Sequence, residues 1–164
     1  ENPSVVIGHD CRFGGELFAE TAAKVLASKG VIVKLAKGFV STPMVSLGVV
    51  NEKANLGVVI TASHNPPSYN GYKLKGDFGG PLLPADITDV ENRIPDTNSV
   101  DYNSISMEDL VSEGKVIYVD LEDMYCKHAE ASFDLDAINT IGAPYLSSIY
   151  NPGSAELLNL VTPL

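Results

Sequence analysis

Three short apolar runs, each separated from the next by enough chain for a helix, constrain this sequence more than any other feature. Val5, Val6 and Ile7 form the first run, closed by Gly8; Val31 to Ala36 form the second and Leu56 to Thr61 the third. Runs this short and continuously apolar read as strands buried on both faces. Between the first two, Glu16 to Lys29 sets Leu17, Ala22, Val25 and Leu26 on one helical face, and Gly30 supplies the stop. Between the second and third, Ser41, Thr42 and Pro43 offer an N-cap and a proline at the first helical position, opening a helix that runs to about Ala54. Two strand-helix-strand units result, and their crossovers place the three strands parallel in one sheet.

After Thr61 the pattern changes. Ala62 to Gly71 is turn chemistry for ten residues, and extended character resumes from Tyr72 to Lys75. A connection without a helix cannot make the usual crossover, so this fourth strand is expected antiparallel at the edge of the sheet. Gly79, Gly80 and Pro81 end it, and Ala85 to Ile94 reads as a further helix with Ile87, Val90, Glu91 and Ile94 at helical spacing. The expected architecture is α/β, a three-layer α/β/α arrangement around a four-stranded mixed sheet whose last strand is antiparallel at the edge. Residues 1–119 are expected to form this first domain. Residues 120–164 are expected to be a linker helix, within the acidic stretch Asp120 to Ile138, and the incomplete start of a second domain. Residues 142–164 combine turn formers with one short apolar segment, Leu157 to Val161.

The formal charge of −10 over 164 residues is unevenly spread. Residues 1–85 hold eight basic and six acidic groups, a net of +2, which leaves −12 for the remainder. A small anionic substrate could meet the first half, whereas the whole-chain charge argues against a nucleic-acid partner. No stretch approaches the roughly 20 apolar residues of a membrane-spanning helix, so no membrane partner is expected. Cys11 and Cys126 lie far apart without metal-ligand spacing, which suits a reducing compartment, and a cytoplasmic location is expected. Glu1 in place of an initiator methionine suggests a fragment.

Ligands of parallel α/β sheets collect at the carboxyl ends of strands, and Ser63 lies two residues past the end of the third strand. A serine there is often only a turn former. Its neighbours argue for more: Pro66 and Pro67 fix their own φ and hold Asn65 and Pro66 extended, so the loop is stiff. Phosphoryl transfer asks chiefly for positioned oxygens and stabilised negative charge. His64 could exchange a proton with a hydroxyl or donate to phosphate, or simply order the loop; adjacent side chains of extended backbone diverge, so it is not automatically the base for Ser63. Lys73 on the edge strand could stabilise phosphate or, with a depressed pKa, act as general base; it could equally guard an exposed edge. Asp10 and Arg12, at the end of the first strand, could be an anion-loop orienter and a phosphate contact, or a structural salt bridge.

The string T-A-S-H-N-P-P-S-Y-N-G-Y-K-L from Thr61 to Leu74 resembles the phosphoserine signature of the α-D-phosphohexomutase superfamily, the phosphoglucomutases and phosphomannomutases. V-V-I-G-H-D-C-R resembles the family's D-x-R strand end, S-T-P its segment before the second helix, and G-G-P-L-L-P its domain-one ending, so the likeness covers roughly residues 4–95. The resemblance implies that Ser63 is phosphorylated, that His64 and Lys73 serve it, and that Arg12 meets substrate. It also implies interconversion of hexose 1-phosphate and hexose 6-phosphate through a bisphosphorylated sugar. Magnesium would be held by an oxygen of phosphorylated Ser63 and by a D-G-D-x-D-R loop of the second domain, which this sequence lacks. The partners implied are hexose phosphate, hexose bisphosphate and the missing domains of the same polypeptide, and the fragment alone is expected to be inactive. The alternative is a non-catalytic remnant that binds a sugar phosphate or a partner protein through the same loop. A serine hydrolase is disfavoured by the lack of a Gly-x-Ser-x-Gly elbow.

Overall fold

The computed structural model describes residues 2–97, 99–134 and 136–138. The chain divides into two units, Glu1–Tyr125 and Cys126–Leu164, and the sheet and candidate site belong to the first. The short apolar segment expected at Leu157 to Val161, and the rest of 142–164, lie outside the described residues.

The elements run β1 (Ser4–His9), α1 (Gly15–Ser28), β2 (Ile32–Phe39), α2 (Thr42–Asn51), β3 (Leu56–Ile60), β4 (Tyr72–Gly76), α3 (Pro84–Asn92), a 3-10 turn (Tyr102–Ser104), α4 (Met107–Ser112), β5 (Val116–Val119) and α5 (Leu121–Ser132). They build one five-stranded sheet in the order β4-β3-β1-β2-β5. β1 pairs parallel with both β2 and β3, and β4 returns antiparallel along β3, with Ile60 opposite Tyr72. The mixed sheet and its antiparallel edge follow the sequence reading, but the strand count does not: there are five strands, not four. β5 pairs parallel with β2, Val33 opposite Val116. It is only four residues long and exposes Ile117 and Tyr118. Val116 to Val119 is nonetheless an apolar run like those of β1 to β3, so the signal for this strand stands in the sequence.

Alternation along the strands divides the core in two, as a period of two requires. Val5, Ile7, Val58 and Ile60 face α1, whose Ala19, Ala23 and Ala27 at four-residue spacing present small side chains to the sheet, with Leu110 of α4 completing this layer. Val6, Ala36 and Val59 face the other way, against Val45 and Val49 of α2 and Leu121 of α5. α3 forms where the helical spacing predicts it but buries none of its residues. No helix among the described residues is long and apolar enough to cross a membrane.

Gly8 shows how tightly the second layer is built. A Cβ at this position would stand 2.4 Å from Cγ2 of Val40 and 2.7 Å from Cγ2 of Val45. Both valines are buried and branched at Cβ, so neither can rotate aside without strain. Gly8→Ala is expected to lower stability by about 2 kcal/mol, within the range for overpacked cores. Urea denaturation checks this, and an unchanged midpoint would show that the layer has slack.

Candidate active site

The strand order sets the carboxyl ends of β1 and β3 side by side, and two loops emerge there. Asp10 N–H donates to the Ile60 carbonyl at 3.1 Å, tying the first residue after β1 to the last of β3. The loop after β3 closes on itself at its base, where Thr61 N–H donates to the Gly71 carbonyl at 3.0 Å. Thr61 and Ala62 are buried, and the chain from Ser63 to Tyr69 is exposed.

Ser63 has a φ of 55°. A residue with a Cβ spends on the order of 1–2 kcal/mol to occupy the left-handed region. Something must hold it there, and two sets of hydrogen bonds do. The first comes from Arg12, whose side chain is 13% exposed. Its Nη1 donates to the carbonyls of Pro66 (2.8 Å) and Tyr69 (3.1 Å), and its Nη2 to those of Ser63 (2.6 Å) and Asn65 (2.8 Å). Nε donates to Oδ2 of Asp10 at 3.2 Å. A guanidinium has five N–H donors, so all of them are engaged within the protein. The planar fork of arginine suits this role, in which one side chain gathers four carbonyls that a turn of this shape points inward.

The second set runs through Thr61. Its hydroxyl donates to Oδ2 of Asp10 at 2.5 Å and accepts the Ser63 N–H at 2.9 Å. Asp10 also accepts the Arg12 backbone N–H on Oδ1 at 3.0 Å. Burial pushes the Asp10 carboxyl up, but the hydrogen bond from Thr61 and those from Arg12, with the Arg12 charge, outweigh it and hold the group below its ordinary value. The carboxylate therefore stays charged at neutral pH and anchors both Arg12 and Thr61.

A cavity of about 400 Å³ opens over this assembly, lined by Asp10, Cys11, Arg12, Phe13, Ser63 and Pro67. Phe13 stands on it 97% exposed. The structure thus brings Ser63, Asp10 and Arg12 together. His64 and Lys73 are exposed, line no part of this cavity, and their side chains have no hydrogen bond or ion pair among the described residues. Lys73 stands on β4 opposite Val59, whose side chain belongs to the α2 face of the sheet. Thr61 is the residue that sequence reasoning overlooked. The available signal was a polar side chain closing an otherwise apolar buried strand, directly before a turn.

Three comparisons bear on this arrangement. The family description "Phosphoglucomutase/phosphomannomutase, alpha/beta/alpha domain I" matches residues 1–101. A phosphoglucomutase of Staphylococcus saprophyticus is 43% identical over 84 residues, which is 51% of this chain and 15% of that protein. A phosphoribomutase of Saccharomyces cerevisiae is 33% identical over 149 residues, 86% of this chain and 24% of that protein. The crystal structure of a Thermus thermophilus protein assigned provisionally as a phosphomannomutase superposes with a TM-score of 0.72 at 34% identity, covering 84% of this chain and 29% of that one. The chain therefore spans between about a seventh and about a third of the length of these similar proteins.

Proposed function

Because the chain belongs to the phosphoglucomutase/phosphomannomutase family and carries its domain I, we propose that Ser63 is the phosphoryl carrier of a sugar-phosphate mutase. The observation that carries this reading is a serine held exposed at φ 55° by the Arg12 clamp, at the mouth of a cavity at the carboxyl end of a parallel sheet. Left-handed backbone at a residue with a Cβ persists only where surrounding structure fixes it, and such residues gather at functional sites.

In the proposed reaction a hydroxyl of a hexose monophosphate attacks the phosphorus of phosphorylated Ser63. The Ser63 Oγ–P bond breaks as the sugar O–P bond forms, and the proton lost by the sugar finishes on Ser63 Oγ. The resulting hexose bisphosphate turns over and returns its other phosphoryl group, so hexose 1-phosphate and hexose 6-phosphate interconvert. His64 and Lys73 are the proposed proton carriers and charge stabilisers, and their side chains, which have no bond among the described residues, are available once sugar is present. Arg12, with every donor engaged by the loop and Asp10, acts by shaping the carrier rather than by gripping phosphate. The remaining parts of the mutase, including those that read the sugar, are proposed to be further domains of the same polypeptide, acting in the cytoplasm.

Magnesium, which would neutralise charge on the transferring group, is only partly served by these residues. No group of three His, Cys, Asp or Glu among the described residues is arranged to hold an ion, and Asp10 is taken by Arg12 and Thr61. A phosphate oxygen on Ser63 is the one ligand this segment would contribute.

Incubating the protein, as isolated from its source, with phosphorus-labelled glucose 1,6-bisphosphate tests the proposal. Label is expected on Ser63 in the peptide map, and it should pass to added glucose monophosphate. A Ser63 that carries no phosphate natively and cannot be charged would leave a binding module in place of a mutase.

A further inference from the structure

The clamp described above has two halves that meet at a single hydroxyl. On one side Asp10 fixes Arg12, which gathers the carbonyls of the loop; on the other the Ser63 N–H needs an acceptor if the residue is to stay left-handed. Thr61 Oγ1 is the only atom among the described residues bonded to both Asp10 and the Ser63 amide. The residue is 5% exposed, so water is poorly placed to replace its hydroxyl. Its donor and acceptor capacity are both in use: the proton goes to Asp10, and a lone pair takes the Ser63 N–H.

We propose that Thr61 is a positioning residue for phosphoryl transfer. Its hydroxyl transmits the fixed orientation of the Asp10–Arg12 pair to the Ser63 backbone and so sets where the serine oxygen points. The inference rests on Ser63 being the phosphoryl carrier. It differs from a plain packing role, because packing depends on the methyl group and the volume of the side chain, whereas this role depends on Oγ1 alone. Valine keeps the shape and removes the relay. Serine keeps the relay and removes a methyl.

The two roles separate in one experiment. The rate constant for charging Ser63 from labelled glucose 1,6-bisphosphate, and the bisphosphate concentration giving half that rate, are measured for the unaltered protein, Thr61→Val and Thr61→Ser. With Thr61→Val the rate constant is expected to fall about 10²-fold, the scale of a misplacement near 1 Å. The half-saturating concentration should stay within about twofold, because the oxygen is misdirected while the binding surface is retained. Thr61→Ser should recover most of the rate although it loses a buried methyl. Should valine disturb the fold by thermal denaturation, Thr61→Ala deletes the same hydroxyl without a new methyl beside Asp10 and replaces it in the comparison. Charging of the valine or alanine variant at the unaltered rate would overturn the role of Thr61 and leave Ser63 as carrier. A rate that tracks side-chain volume, with serine as slow as alanine, would likewise overturn it. Failure of the unaltered protein to charge would remove the carrier itself.

Discussion

Ser63→Gly is expected to abolish phosphate incorporation while making the protein more stable. Removing the proposed nucleophile should cost at least about 10⁴-fold in charging, the scale of losing an essential member of a covalent mechanism. The stability effect has the opposite sign. At φ 55° the serine Cβ is strained, and glycine relieves on the order of 1–2 kcal/mol of that strain. Greater freedom of glycine in the unfolded chain returns part of this, so a net gain of up to about 1 kcal/mol is expected. Denaturant midpoints and label incorporation, measured on the same preparation, check both signs. A variant that loses stability would mean the left-handed turn is relaxed in the native protein, and the reading of Ser63 as a residue held under load would fail.

Arg12→Lys is expected to be nearly as damaging, although the charge survives. A lysine ammonium has three donors on one atom and cannot meet four carbonyls and a carboxylate that a planar fork reaches together. Losing these charge-assisted bonds should cost about 2 kcal/mol of stability, since released carbonyls can rehydrate at the exposed loop. Charging of Ser63 should fall about 10²-fold through loss of orientation. The discriminating measurement is amide hydrogen exchange at Ser63, Asn65 and Tyr69, whose N–H groups bond within the loop or its base. Faster exchange at all three is expected if Arg12 builds the loop. Unchanged exchange with a raised requirement for sugar phosphate would instead make Arg12 a phosphate ligand.

The legible parts of the fold were those written in local periodicity. β1, β2 and β3 each carry an apolar run, and α1 and α2 carry their stop and start signals next to it, so each element could be read from its immediate neighbours in the chain. β5 carries a short apolar run too, Val116 to Val119, but what pairs it into the sheet is the exposed edge of β2, far earlier in the sequence. The site divides in the same way. Ser63 and its prolines form a contiguous string whose resemblance to a known signature is specific. The work of Arg12 leaves no such mark, because its partners are main-chain carbonyls, which every residue possesses. An Asp-x-Arg at a strand end suggested an ion pair, which is present at 3.2 Å, but four of the five donors point elsewhere. Where Lys73 stands depends on strand register, which the sequence does not spell out. Pairing with Val59 puts Lys73 on the α2 face of the sheet.

The bend from Thr61 to Gly71 is pinned at its neck by a backbone bond and at its interior by an arginine that meets it only through peptide carbonyls. Its curvature is consequently independent of most of the side chains it displays. His64, Ser68 and Tyr69 can be exchanged without redrawing the path of the chain, while Arg12, Asp10 and Thr61 cannot. Such an arrangement separates scaffold from display within one short loop. Evolution could alter what the bend shows to an incoming ligand while the Ser63 oxygen stays at the same address.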